Sequence, residues 1–543
     1  MDQFINSRHS IVTDAIDGVL SVSGGSLARL DGFPYIKVVV RKDWDKSKVA
    51  LVSGGGSGHE PAHAGFVGKG LLTAAVCGDL FASPSVDAVL AGILAVSGNA
   101  GCLLIVKNYT GDRLNFGLAA ERARSFGVKV RMVIIDDDIA LPDLPQARGV
   151  AGTLFIHKIA GAMAEQGYDL DAIAATAEQI NAGTRTIGMS LDTCTIPGSP
   201  KEERIALGKA ELGLGIHGEA GVEQVDFKDA TTAMQQVIAK LAEVMDKSDP
   251  HVALLNNLGG TTPLEMSILA DELRQSQIGK QLKWIVGPAP MMTSLDMRGF
   301  SLSVLSITPD YEEYLLKTVG PGAWPGMQKL DAPELIPLPD GLSPIKAIAS
   351  AHPERAAFID RCCDILIGAE AHLNALDAKS GDGDTGSTLS GAARAMKASL
   401  PNLPLADLTQ LYRAIGTELS QTMGGSSGVL LAIFFTAAGD ASASGQDMVG
   451  SLKAGMSRIQ EVGGANPGDR TMIDALLPAL DALQDNVAAA AKAARHGADS
   501  TADIVEAKAG RATYVSADKL KGHNDPGAEA VAVLLEALAK EPS

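Results

Sequence analysis

A chain of 543 residues is too long for a single core and implies about two to four domains. It is 46% hydrophobic but only 4% aromatic, with 59 glycines, a composition that suits α/β layers and small-residue helix packing and excludes a disordered chain. A formal charge of −18 excludes roles that need a broad basic face, above all nucleic-acid binding, but not the binding of a nucleotide whose charge is met locally by metal.

The first 320 or so residues alternate short β-rich runs with helical patterns. The runs 49–52, 102–106 and 130–135 are almost wholly apolar, as in strands buried on both faces, and a helical pattern spans 115–126. Such alternation predicts mainly parallel sheets with helices on both sides, in two α/β portions, 1–181 and 182–325. The second includes the apolar runs 252–255 and 284–286. The apolar stretch 86–106 is broken by Asp87, Gly92, Gly98, Asn99 and Gly101, so it is not read as a membrane span.

Three polar motifs interrupt this pattern. Ser53-Gly54-Gly55-Gly56-Ser57-Gly58-His59-Glu60-Pro61 follows the first strand but lacks the dinucleotide spacing. Lys107-Asn108-Tyr109-Thr110-Gly111-Asp112 closes the second, at the strand end where open α/β sheets place ligands. In Leu214-Gly215-Ile216-His217-Gly218-Glu219-Ala220-Gly221 the glycines leave the imidazole sterically open, as a reactive group or as an ordinary surface histidine. His63 is read as a loop or packing residue. The run Asp136-Asp137-Asp138 is read as a solvated loop.

Prolines at 321, 325, 333, 337, 339 and 344 mark a semi-rigid linker, placed at 326–346. From 347 to 543 the pattern is helical, with segments at 356–376, 405–423, 472–494 and 526–538. Near the end of the first lies Leu376-Asp377-Ala378-Lys379-Ser380-Gly381-Asp382-Gly383-Asp384-Thr385-Gly386-Ser387-Thr388. Carboxylates this close repel one another unless a hard cation such as Mg2+ sits among them, and glycines at a helix start let backbone N–H groups approach an anion. An EF-hand is excluded because Ala393 stands where its bidentate glutamate belongs, and a Walker A loop because no lysine follows the glycines. A simple turn capping a helix is the competing reading. Further helix-starting turns occur at Met423-Gly424-Gly425-Ser426-Ser427-Gly428, at Gly463-Gly464-Ala465-Asn466-Pro467-Gly468-Asp469-Arg470-Thr471-Met472, at Gly510-Arg511 and at Asp525-Pro526-Gly527-Ala528.

Five scattered cysteines without zinc spacing, and an N-terminus with no basic segment leading into an apolar core, predict a cytoplasmic enzyme that does not engage membranes.

Taken together, the aspartate-glycine turn, Gly-Gly-Ser-Ser-Gly, Gly-Asp-Arg-Thr-Met and Asp-Pro-Gly-Ala resemble the nucleotide domain of dihydroxyacetone kinases, and the glycine-flanked His217 resembles their substrate domain. The resemblance implies an ATP-dependent kinase with an α/β substrate part and an all-α barrel of eight antiparallel helices. It implies that Asp377, Asp382 and Asp384 hold two Mg2+ ions on the ATP phosphates. Thr385, Gly386, Ser387, Thr388, Ser426 and Ser427 would contact phosphates, and Gly463, Met472, Arg511, Asp525, Pro526 and Gly527 would line the rest of the nucleotide site. In the substrate part Gly56, Ser57, Gly58, His59, Lys107 and Asp112 would contact the ketone, with His217 bonded to its carbonyl carbon as a hemiaminal. Such a bond selects ketones and aldehydes over polyols, which shape alone does poorly for so small a molecule. Asp112 would act as general base and His59 would assist proton transfer.

The absence of an attached phosphocarrier domain favours free ATP as donor. A domain-swapped homodimer is implied as well. Glyceraldehyde or erythrulose as substrate, a side activity forming cyclic FMN from FAD, and a non-catalytic regulator that senses dihydroxyacetone are the alternatives.

Overall fold

The apolar runs of the first half are strands, and those at 49–52, 102–106 and 252–255 continue into the polar residues that follow them. In the computed structural model, which describes residues 3–141, 146–246, 250–339 and 347–540, they build two sheets. The first contains β1 (Leu27–Arg29), β2 (Val38–Arg41), β3 (Ala50–Ser57), β4 (Ala74–Leu80), β5 (Cys102–Lys107) and β6 (Val130–Ile135), in the order β1-β2-β4-β3-β5-β6. The four strands from β4 to β6 are parallel, and β1 and β2 add an antiparallel edge. The second contains β7 (Thr184–Ser190), β8 (Lys209–Leu212), β9 (Glu223–Asp226), β10 (His251–Asn257), β11 (Leu282–Pro290), β12 (Gly299–Ser306) and β13 (Met327–Lys329), in the order β13-β11-β10-β12-β7-β8-β9.

Here the expectation of mainly parallel sheets fails. In the second sheet only β10 and β11 pair in parallel, and the other five pairings are antiparallel. The physical reason is that an unbroken apolar run records burial of both strand faces, not strand direction.

That burial is complete because helices fill three layers. They are α1 (Ile11–Ser21), α2 (Val86–Val96), α3 (Thr110–Ser125), α4 (Thr153–Glu165), α5 (Leu170–Gly183), α6 (Ala230–Val244), α7 (Pro263–Gln275) and α8 (Pro309–Leu316). Along β5, Cys102, Leu104 and Val106 face α2 and α3, while Leu103 and Ile105 face the core formed by α4 and α5. On the second sheet Val252 and Leu254 enter that same middle core, and Ala253 and Leu255 pack with α6 and α7. The middle layer therefore serves both sheets, and α4 is buried from Thr153 through Ala164. Phe155, fully buried there, is a side chain whose truncation to alanine costs about 3–5 kcal/mol.

The chain divides into two compact units, Met1–Leu335 and Ile336–Ser543. The last seven residues of the expected linker, 340–346, lie outside the described residues. The second unit is helical: α9 (Pro353–Gly368), α10 (Glu370–Ser380), α11 (Thr385–Ser399), α12 (Leu408–Thr422), α13 (Gly425–Ala443), α14 (Met448–Gly463), α15 (Ile473–Ala482), α16 (Val487–Ser500), the short α17 (Ala517–Leu520) and α18 (Pro526–Ala539). Two expected single helices are each two. The segment 356–376 breaks at Ala369, which ends α9 and starts α10, and 472–494 breaks before Asn486, whose side chain caps α16 by accepting from Ala489 N–H.

Consecutive long helices pack on one another and α18 returns to α9 and α10, which closes a ring. Counting α9 and α10 as one broken helix, the ring has eight members among the described residues. α13 is long and apolar enough to cross a membrane by length and composition; here it is one stave of the ring, packed on α12 and α14.

Candidate active site

In the first unit the site forms where β3, β5 and the loop after β8 converge. Toward the end of β3 and just past it the chain needs glycine: Gly55 has φ +144° and Gly58 has φ +104°. A Cβ at Gly55 would stand 2.9 Å from Lys107 Nζ and 3.3 Å from Asp112 Oδ2, so only glycine lets these two groups come this close to the strand. The neighbouring motif residues brace the loop. A Cβ at Gly56 would strike the Phe81–Ala82 backbone, Ser57 Oγ donates to Gly78 O at 2.9 Å, and Gly58 N–H donates to the Glu60 carboxylate.

His59 is fully buried. Its Nδ1 lies 2.8 Å from the Thr293 carbonyl, which makes Nδ1 the donor and leaves Nε2 as an acceptor with no hydrogen-bond partner among the described residues. Burial, reinforced by the charges of His217 and Lys107, holds its pKa well below the ordinary histidine range. The His217 ring stands edge-on to three rings, with centroids at 4.3 Å from Tyr109, 4.8 Å from His59 and 5.5 Å from Phe81. Its Nδ1 is 3.4 Å from Glu219 Oε1, and its backbone N–H donates to Glu219 Oε2 at 2.8 Å. Burial pushes the Glu219 carboxyl up, but the hydrogen bonds and charge of His217 outweigh it and bring the group to about 2. With Nδ1 facing a carboxylate, Nε2 is the nitrogen available to an electrophile.

Lys107 ends β5 with its ammonium buried, donating to Gly54 O at 3.2 Å and to His63 Nε2 at 2.6 Å. Burial lowers its pKa, while Asp112 and Asp137 oppose that change. Asp112, in the first turn of α3, is buried, and its Oδ1 has no hydrogen-bond partner among the described residues.

One reading is extended and another corrected. His63, read as a loop or packing residue, is buried, and it is also a hydrogen-bond partner of Lys107. The run Asp136-Asp137-Asp138 is not a solvated loop, because Asp137 and Asp138 are buried. Three successive acids suggest mutual repulsion and solvation, yet Asp137 finds three donors, Val150 N–H at 2.7 Å, Gly152 N–H at 2.8 Å and Thr186 Oγ at 2.6 Å, and Asp138 pairs with Arg148 at 2.7 Å. Burial still pushes Asp137 up to about 6. Tyr109 and Glu219 stood within the quoted motifs without a role, whereas Phe81 and Thr293 gave no signal in the sequence because only the fold brings them near.

In the second unit, ligand atoms of Asp377, Asp382 and Asp384 all lie within 4.8 Å of one another. Asp377, in the last turn of α10, shapes the turn by accepting N–H bonds from Gly383, Asp384 and Thr385 at 3.1, 3.0 and 3.1 Å. Three convergent carboxylates form an all-oxygen donor set, the chemistry that fits Mg2+. Thr385 and Thr388 lie in the first turn of α11, but Ser387 turns away. Its hydroxyl binds Asn374 at 2.8 Å and Glu370 at 3.3 Å, both on α10. Gly386 permits that helix contact, since a Cβ there would lie 2.1 Å from Glu370 O.

Ser426 and Ser427 are exposed in the first turn of α13, whose N-cap Gly424 provides no side-chain bond. Gly463 ends α14 and Met472 caps α15. Asp525 caps α18 by accepting from Ala528 N–H at 2.9 Å, ahead of Pro526, and Gly527 lies against Met472. The Arg511 side chain lies outside the described residues.

The Dak1 domain family matches residues 23–320 and the DAK2 domain family matches residues 379–540. The chain is 46% identical to the dihydroxyacetone kinase of Citrobacter freundii, over 99% of both chains. It belongs to the dihydroxyacetone kinase family. The human triokinase/FMN cyclase is 40% identical over 99% of this chain and 98% of that protein. The crystal structure of the C. freundii kinase in complex with AMP-PNP and Mg2+ superposes with a TM-score of 0.66 at 45% identity, covering 99% of each chain. Family membership thus spans both units, the one with His217 and the one with the three aspartates.

Proposed function

We propose that this protein transfers the γ-phosphoryl group of ATP to a primary hydroxyl of dihydroxyacetone held on His217. The observation that carries this reading is the His217 environment: Nδ1 on a carboxylate, Nε2 turned from it, and Lys107 with Asp112 gathered over Gly55 in the same unit. The kinship with dihydroxyacetone kinases over the whole chain supports it. In this reading Nε2 of His217 bonds to the carbonyl carbon and the carbonyl oxygen takes up a proton, giving a hemiaminal. His59, with its acceptor Nε2, assists that proton transfer, and the Asp112 carboxylate accepts the proton of the attacking hydroxyl. Mg2+ held by Asp377, Asp382 and Asp384 supplies charge neutralisation to the ATP phosphates, the main electrostatic need of phosphoryl transfer.

On this reading Met1–Leu335 binds the ketose, in portions 1–181 and 182–325, and 347–543 binds the nucleotide beyond the linker 326–346. The proposed assembly is a homodimer in which each helical unit serves the other subunit. All five cysteines are free thiols, which supports a cytoplasmic setting.

The test is a steady-state assay with ATP, Mg2+ and a panel of dihydroxyacetone, glyceraldehyde and erythrulose. Turnover is expected to vanish in His217→Ala and Asp382→Ala and on chelation of the metal, and to return when Mg2+ is restored. No turnover of any of the three by the wild type would sink the reading.

A further inference from the structure

Lys107 is held in an unusual way for a buried ammonium. The group has three N–H donors and no acceptor. One donates to Gly54 O at 3.2 Å and another to His63 Nε2 at 2.6 Å. Since the ammonium can only donate, His63 must accept, which fixes its proton on Nδ1. That Nδ1 is buried without a hydrogen-bond partner among the described residues, and the ring lies 5.3 Å, centroid to centroid, from His157. Both nitrogens of His157 are likewise buried and without partners.

We propose that His63 is a positioning residue, which fixes the Lys107 ammonium beside Gly55 so that its third N–H is offered to a substrate oxygen. The inference rests on the reading that the ketose binds there. The groups around Lys107 explain why an acceptor matters. Asp112 on α3 and Asp137 beyond β6 favour the ammonium, whereas His59, His63 and His157 on α4 would oppose it if charged. Burial keeps all three histidines well below their ordinary range, His157 at about 3, so they remain neutral neighbours. A neutral acceptor at 2.6 Å stabilises the charged form of Lys107 without adding charge.

The experiment measures kcat and KM for dihydroxyacetone against pH in the full-length wild type, His63→Phe and His63→Gln. Phenylalanine keeps a planar ring without an acceptor, and glutamine keeps an acceptor oxygen. His63→Phe is expected to raise KM about tenfold and to move the alkaline limb of kcat/KM down by about one pH unit. His63→Gln should restore the limb toward wild type. A folded His63→Phe with the wild-type KM and limb overturns the inference while leaving the kinase reading intact. A wild type without turnover strikes that reading instead. Imidazole 15N resonances of the wild type decide independently of folding and activity: a proton on His63 Nδ1 supports the inference, and a proton on Nε2 overturns it.

Discussion

Glu219 binds His217 twice, at the backbone N–H and at the ring, and so sets both the position and the tautomer of the proposed nucleophile. A carboxyl that sits at about 2 in the folded chain, against an ordinary 4.5, adds stability above pH 4.5 and loses it as pH falls toward 2. The decline in Tm between about pH 5 and pH 2 is therefore expected to be shallower in Glu219→Gln than in the wild type, as followed by circular dichroism. Matching slopes would show that this pair does not contribute. At neutral pH the amide of glutamine would face Nδ1 as a donor and drive the imidazole proton to Nε2. The same variant should thus lose at least about tenfold in kcat/KM for dihydroxyacetone while remaining folded. Glu219 was visible in its glycine motif, two residues from His217. Thr293 and Phe81 were not, since their proximity to His59 is made by strands far apart in sequence and no local pattern encodes it.

Among the helices, direction does the assembling. In an antiparallel ring of eight, alternate members start from the same end, and α11, α13, α15 and α18 are such a set. Each is preceded by one of the Gly-rich or Asp-rich turns, and α10 delivers Asp377 to that end from the opposite direction. The turns were legible in the sequence because each breaks a helical period; their convergence followed only once the number of helices was fixed, and the hidden breaks at Ala369 and before Asn486 obscured that count. α12, α14, α16 and α18 carry Asp or Asn N-caps, whereas the N-cap residues of α11, α13 and α15 make no side-chain cap bond, and the first-turn N–H groups of α11 go instead to Asp377 and Asn374 on α10. Gly386 is what allows α11 to approach α10 closely. Gly386→Ala would press a methyl group into the Glu370 carbonyl and separate Asp384 from Asp377. A loss of about 1–3 kcal/mol in denaturant unfolding is expected, together with a weaker dependence of turnover on Mg2+ at low concentration. Unchanged Mg2+ titration in this variant would mean that the helix spacing does not set the metal geometry.

At the scale of the molecule, the proposed swap has a direct genetic readout. His217→Ala and Asp382→Ala chains, each inactive alone, should recover up to about a quarter of wild-type turnover when unfolded and refolded as a mixture, because half the dimers are mixed and each mixed dimer rebuilds one intact site of two. A non-swapped dimer would recover nothing, since every site would draw both parts from one chain.

Within Met1–Leu335 the helical layer of α4 and α5 has a consequence of its own. It belongs to neither sheet exclusively, so neither sheet can melt without stripping the layer that seals the other. His59, beyond β3, and His217, beyond β8, are thereby mounted on one cooperative block. Heat or denaturant should dismantle the proposed ketone pocket in a single step, because parting the two sheets would expose the core that α4 and α5 share with both.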